Sequence, residues 1–243
     1  MKRELRRGGF TFKQFFVGHD RCGMKVTTDG VILGGWTPVS GCRRILDIGT
    51  GTGLLTLMLA QRTEQHVMID AVEIDRSAYE QALENVAASP WSNRIQVFHN
   101  DIKEYADNSN SSYDLIISNP PYFPEGTDCR DEARAKARYS HILTHDDLLI
   151  YAQRLLTEDG RFCVMLPCAL GELLEQKALN LGWFVSRRTW VKDVIDKAPY
   201  IVLLELTRIL QVCDEQQLVT HLPGRASYTD QFKQLASDFY LAL

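Results

Sequence analysis

Alternating strand and helix patterns at short intervals predict a doubly wound α/β protein, with a mostly parallel sheet covered on both faces. Two local observations sharpen that expectation. A strand-like run at 44–47 feeds Gly49-Thr50-Gly51-Thr52-Gly53 and then the apolar run 54–60, as when a strand turns sharply into a helix. Further on, the apolar Leu115-Ile116-Ile117-Ser118 ends in Asn119-Pro120-Pro121-Tyr122, where the prolines stop a buried strand.

Each element then follows in order. Residues 44–47 form the first strand, 54–60 the following helix and 67–74 the second strand. Ser77 with Glu80 three residues later predicts a capping box for a helix over 78–88, with Ala78, Ala82, Leu83 and Val86 on its buried face. Strands at 95–98 and 113–118 are separated by a polar turn cluster, 107–112. The charged stretch 125–138 lacks a continuous apolar stripe, which suits a loop or lid fraying into helix. A helix over 146–156, a fifth strand over 161–166 and a helix over 170–181 closed by Gly182 come next. Strands at 184–191 and 200–209 are joined only by the polar 192–199, which favours an antiparallel pair. Phe232, Leu235, Ala236, Phe239 and Leu243 fall at helical spacing and predict a C-terminal segment docked on the core. Internal repeats, low-complexity tracts and a domain boundary are not visible.

Composition bounds the function. At 243 residues, 45% hydrophobic and 24% charged, the chain suits one globular α/β domain. A net charge of −4 excludes a generally basic nucleic-acid coat protein. No apolar stretch is long enough to span a bilayer, and Gly8-Gly9, Lys13, Gln14 and His19 interrupt any secretory segment after the basic N-terminus. Export is therefore not expected, and the cytoplasm is. Cys22, Cys42, Cys129, Cys163, Cys168 and Cys213 show no Cys-x-x-Cys spacing and read as reduced packing thiols. His141 and His145 near Asp146 and Asp147 lack the rest of a coordination shell, so a helix start is expected there and no metal. Basic residues cluster at Lys2, Arg3, Arg6, Arg7 and Lys13, and again at Arg130, Arg134, Lys136 and Arg138.

Chemistry concentrates at predicted strand ends. The glycine loop offers close backbone approach and unpaired helix N–H groups. Leu54 stands where a dinucleotide fingerprint needs its third glycine, which disfavours a nicotinamide-dependent oxidoreductase. Asp47 precedes the first glycine by two residues. Glu73, ending the second strand, can take both hydroxyls of a ribose, and Asp101 after the third can accept from an adenine amino group. Singly, such acids often cap helices. At successive strand ends they sit where open α/β sheets bind ligands. Asn119 Oδ1 and the Pro120 carbonyl can both accept from one NH2 group, and Tyr122 can lie over the flat ring that carries it.

Asp47 with Gly49, Gly51 and Gly53, then Glu73, Asp101 and Asn119-Pro120-Pro121-Tyr122, in that order, resemble the class I S-adenosylmethionine-dependent methyltransferases. The resemblance covers roughly residues 40–210 and implies a seven-stranded sheet whose last strand is antiparallel. The flanks narrow it: Gly9-Phe10-Thr11-Phe12-Lys13-Gln14-Phe15-Phe16, Met24-Lys25-Val26-Thr27-Thr28-Asp29-Gly30, and Tyr228 through Asp238-Phe239-Tyr240-Leu241 look like the bacterial tRNA1(Val) adenine-N6 methyltransferase family. That resemblance implies methylation of the adenine immediately 3′ of the anticodon, position 37. It further implies that Lys25, Thr28 and Asp29 lie near the methionine end of the donor, with Asp47, Gly49, Gly51, Gly53, Glu73, Asp75 and Asp101 around the rest. The expected organisation is a single domain with an arm at 1–40, a core at 41–210 and a docking segment at 211–243, and a monomer is expected although the sequence leaves dimerisation open.

An exocyclic amine is a poor nucleophile because its lone pair is delocalised into the ring. Two acceptors, Asn119 Oδ1 and the Pro120 carbonyl, draw on its hydrogens and favour a tetrahedral nitrogen; Tyr122 stacks, and Phe123 can add a second apolar wall. With an RNA substrate, Arg6, Arg7, Arg130, Arg134 and Arg138 read as phosphate contacts. The tetrapeptide alone fixes the kind of nitrogen, not the molecule. Glutamine-N5 enzymes carry a helical domain before the donor domain, for which some forty residues leave little room. Guanine-N2 methylation of rRNA, and an RNA-binding protein without activity on the same scaffold, are the competing readings.

Overall fold

The computed structural model describes residues 8–22, 25–121 and 143–243. Tyr122, Phe123, Arg6, Arg7, Arg130, Arg134 and Arg138, and with them the 125–138 segment, lie outside the described residues. A short antiparallel hairpin, β1 (Gly9–Thr11) and β2 (Phe16–Gly18), precedes helix α1 (Thr28–Trp36). Strand and helix then alternate: β3 (Arg44–Ile48), α2 (Leu54–Arg62), β4 (Met68–Glu73), α3 (Arg76–Ala87), β5 (Ile95–His99), α4 (Ile102–Asn108) and β6 (Tyr113–Ser118). After the acceptor motif come α5 (His145–Leu155), β7 (Leu156–Pro167), α6 (Cys168–Asn180), β8 (Phe184–Lys192), β9 (Ile201–Thr207), β10 (Asp214–Val219) and α7 (Asp230–Ala236).

The main sheet has eight strands in the order β10-β8-β9-β7-β6-β3-β4-β5. Only β9 runs against its neighbours; it is antiparallel to both β7 and β8, as the short 192–199 connection requires. The expected strand count was seven with the antiparallel strand last. The structure corrects both points: β10 follows β9 in the chain and adds an eighth strand, parallel to β8 at the sheet edge. Its Asp-Glu-Gln-Gln start is exposed and carries no apolar alternation to announce a strand.

One apolar core lies on each face, as for a sheet wound on both sides. Leu57, Met58 and Ile32 anchor the α1/α2 face, where Phe12, Phe232 and Phe239 also bury. Leu148, Leu149, Leu155 and Leu174 anchor the α4/α5/α6 face. Helix α1, read from sequence only as part of an arm, carries Gly34 and Gly35 because a Cβ would fall 2.6 Å from Met58 Sδ at the first and 2.4 Å from Leu235 Cδ2 at the second. The flanks close on each other: Lys13 N donates to Phe239 O at 2.8 Å, and the Phe10 and Phe12 rings meet Tyr240.

Other expectations need correction. Helix α3 is capped by Asp75, whose carboxylate accepts from Ala78 N at 2.8 Å, two residues before the expected Ser77, so the Ser77–Glu80 box does not form. Leu83, expected inside, faces solvent at 38% exposure, and Gln81 and Asn85 join the buried face. The polar cluster 107–112 is partly helical, its first two residues ending α4. At the C-terminus the helix stops at Ala236; Phe232, Ala236 and Phe239 bury, but Leu243 is exposed. Among the described residues no helix is long and apolar enough to cross a membrane.

Candidate active site

The carboxyl ends of β3, β4, β5 and β6 share one edge of the sheet, and the candidate residues gather there. Gly49, Gly51 and Gly53 all adopt left-handed backbone, with φ of 72°, 57° and 81°, which side chains disfavour. Gly53 is itself the N-cap of α2, so the loop delivers the helix N-terminus directly to the edge. A Cβ on Gly49 would meet no atom within 4 Å; the space above that glycine is open.

Beneath the loop, Asp47 is fully buried. Its Oδ2 accepts from Thr50 Oγ1 at 2.7 Å, Thr56 Oγ1 at 2.7 Å and Thr56 N at 3.2 Å. Its Oδ1 has no hydrogen-bond partner. Burial pushes its carboxyl up to about 6, against the opposing pull of the Thr50 and Thr56 hydrogen bonds. Glu73 braces the loop from the next strand: Oε2 accepts from Gly51 N and Oε1 from Asp75 N, both at 2.8 Å. Burial raises the Glu73 carboxyl as well, opposed by those backbone donors.

Two cavities open on this edge and meet at Gly49. The larger, about 260 Å³, is walled by Ile48, Val72, Ile74, Asn100, Asp101 and Lys103, with Leu143, Asp147 and Tyr151 across from them. The smaller, about 60 Å³, brings Lys25, Thr27 and Gly30 together with the glycine loop and Asn119. Asn119 is held there because Ser118 Oγ donates to Ile48 O at 2.9 Å, locking the end of β6 beside the end of β3. Pro120 is buried behind it.

The predicted residues thus divide. Lys25, Gly49, Gly51, Asp101 and Asn119 line the cavities. Asp47, Gly53 and Glu73 shape the loop from behind. Asp75 and Asp101 each cap a helix, α3 and α4, with Asp101 Oδ1 accepting from Lys103 N at 2.8 Å; for Asp101 this adds to its place in the cavity wall. Thr28 and Asp29 do not line the smaller cavity, whose wall is made by their neighbours Thr27 and Gly30. Asp29 instead accepts from Tyr200 OH at 2.8 Å, and Thr28 bonds Tyr240.

Sequence reasoning missed several contributors. Asn85, on α3, donates to Gly18 O and Thr52 O and accepts from Gly18 N, tying the N-terminal hairpin to the glycine loop. A polar residue on the inward face of an amphipathic helix was the available signal. Asp147 and Tyr151 lie one turn apart on α5, whose Thr144–Asp147 capping box places them at the larger cavity. Among the described residues no group of three His, Cys, Asp or Glu could hold a metal.

Comparison with known proteins identifies the family and the fold. Residues 37–172 match the family model for the methyltransferase small domain. A tRNA1(Val) (adenine(37)-N6)-methyltransferase of Photorhabdus laumondii is 52% identical over 240 residues, covering 99% of this chain and 98% of that protein. The like-named protein of Serratia proteamaculans is 54% identical over 237 residues, 97% of this chain and 91% of its own. Among solved structures, a predicted O-methyltransferase from Agrobacterium tumefaciens superposes with a TM-score of 0.66 at 17% identity, covering 86% of this chain and 96% of that one. A ribosomal protein L11 methylase from Lactobacillus delbrueckii gives 0.55 at 17% identity, over 80% and 84%. At such identities these two structures speak for the fold alone.

Proposed function

This chain belongs to the family of tRNA1(Val) (adenine(37)-N6)-methyltransferases, and from that premise we infer that its sheet edge transfers a methyl group from S-adenosylmethionine to the N6 amino group of adenine 37 in that tRNA. The observation that carries the reading is the smaller cavity, where the glycine loop and Asn119 share one wall with Lys25. Donor-side and acceptor-side residues are adjacent there without rearrangement.

The residues fit the donor. Gly49, with open space above it, admits a nucleoside against the backbone, and Asp101 in the cavity wall suits its amino group. Lys25, Gly49, Gly51 and Asp101 line the space that would hold it, with Asp47, Gly53 and Glu73 setting the loop. When bound, S-adenosylmethionine supplies a methyl group on an electrophilic sulfonium.

The chain's own part is positioning. Asn119 Oδ1 and the Pro120 carbonyl accept from the amine hydrogens and orient its lone pair toward the donor. The amine proton becomes acidic only as the N–C bond forms, so water can take it and no strong general base is required. Orientation of this kind supplies roughly 7–11 kcal/mol of barrier lowering. Tyr122 and Phe123 would flank the base, and Arg6, Arg7, Arg130, Arg134 and Arg138 would contact phosphates. Adenine 37 must be splayed from its loop to reach Asn119. Such an enzyme works in the cytoplasm, where its tRNA substrate is found.

Nucleoside mass spectrometry of tRNA and rRNA from a strain lacking the gene tests the reading. Loss of N6-methyladenosine from tRNA1(Val) is expected. Intact tRNA with N2-methylguanosine missing from rRNA would move the assignment to the guanine enzymes.

A further inference from the structure

Beyond Asn119 the carboxyl edge continues through the end of β7, the start of β9 and the ends of β8 and β10, and one aromatic residue there is both fixed and exposed. Tyr200 is 40% exposed. Its backbone is clamped on two sides: Tyr200 N donates to Val191 O at 3.0 Å, and Cys168 N donates to Tyr200 O at 3.3 Å. Its hydroxyl is pinned to Asp29 Oδ1 at 2.8 Å. Asp29 stands in the first turn of α1, between Thr27 and Gly30, which wall the cavity that Asn119 enters. The ring is therefore held at both ends and tied, through Asp29, to the helix start that walls this cavity.

Its surroundings are polar and partly cationic. Lys197 is exposed three residues before it, and Lys192 lies across the same loop. Asp193 is already paired with Arg225 and His221, and the Arg225 guanidinium beside it holds its carboxyl below the usual range. Arg225 itself remains 68% exposed. Asp196 is the acid of this loop that opposes an incoming anion. A clamped aromatic ring ending a loop that carries Lys192 and Lys197, next to the helix start that walls a pocket for one extruded base, matches the way single-stranded nucleic acid is held: bases stack on rings while phosphates meet Lys and Arg.

We propose that Tyr200 is a stacking platform for a nucleotide flanking the methylated adenine, with Lys192, Lys197 and Arg225 along the path of its phosphates. The proposal rests on the RNA-methylating reading above. A purely structural role is the alternative: the Tyr200–Asp29 hydrogen bond could serve only to seat α1 at the donor cavity. The two separate by substitution, because Tyr200→Phe removes the hydroxyl and keeps the ring, whereas Tyr200→Leu removes both.

The test measures binding of an anticodon stem-loop of tRNA1(Val) by fluorescence anisotropy, and S-adenosylmethionine binding by calorimetry, on the full chain. Stacking predicts that Tyr200→Leu weakens RNA binding about 5- to 100-fold while Tyr200→Phe stays within about twofold of the parent, with donor affinity unchanged in both. Equal RNA loss in Phe and Leu, or weakened donor binding in either, would overturn stacking in favour of the seating role. Unchanged RNA binding in Leu would also overturn it while leaving the methyltransferase reading intact. Failure of the parent protein to bind the stem-loop at all would instead count against both.

Discussion

The donor half and the acceptor rim of this edge are built differently. On the donor side almost every polar group is already spoken for by the chain: Asp47 by Thr50 and Thr56, Glu73 by two backbone amides, Asp75 and Asp101 by the helices they cap. On the acceptor side the strand ends are fixed, through Ser118 to Ile48 and through the clamped backbone of Tyr200, while side chains such as Tyr200 point outward. A site wired into the fold should fail together with the fold. A site of projecting side chains on fixed strands should lose chemistry and keep stability.

The largest expected break in that comparison is Asn119→Ala. Removing one acceptor of a positioned pair should lower kcat/KM by about 10²–10³-fold. Calorimetric S-adenosylmethionine affinity and Tm should stay close to those of the parent protein. A matching fall in donor affinity would show that Asn119 belongs to the donor half.

Next comes Asp47. Burial pushes its folded carboxyl up to about 6, above the ordinary aspartate value of 3.8, so the folded state binds this proton more tightly than the unfolded state. The stability this contributes is fully present below pH 3.8 and is lost as pH rises through about 6. The difference corresponds to about 3 kcal/mol at roughly 1.36 kcal/mol per pKa unit. Urea unfolding across this window should therefore show Asp47→Asn gaining on the parent by about that amount between acid and neutral pH. A flat difference would mean that Asp47 titrates alike in both states.

Gly51→Ala should cost less stability than the Asp47 shift, about 1–2 kcal/mol for forcing a side chain into left-handed backbone. Because Gly51 N bonds Glu73 and the loop lines the smaller cavity, donor affinity should fall in the same variant. Stability loss with donor binding intact would separate loop geometry from ligand binding.

What could be read in the sequence follows the same division. The glycine loop, the strand-end acids and Asn119 were legible because each owes its place to local chemistry: a turn only glycine takes, an acid where a strand ends, a proline pair that stops β6. What escaped notice depends on tertiary contacts. Helix α1 was hidden by Gly34 and Gly35, poor helix formers that make sense only against Met58 and Leu235. Strand β10 is polar and exposed at its start, with pairing to β8 supplying what its composition lacks. Ser77 was the expected cap of α3, but Asp75, braced by Glu73 at its backbone N–H, takes that place. Tyr200 looked like an ordinary strand residue until Asp29 came within reach of its hydroxyl.

The central claim is that this edge methylates one adenine nitrogen of one tRNA. Purified protein, S-adenosylmethionine and an unmodified tRNA1(Val) transcript should yield N6-methyladenosine at position 37 by nucleoside mass spectrometry, and a transcript with guanine at that position should yield no methylated base. Absence of N6-methyladenosine from the first transcript, or N2-methylguanosine in the second, would contradict the account.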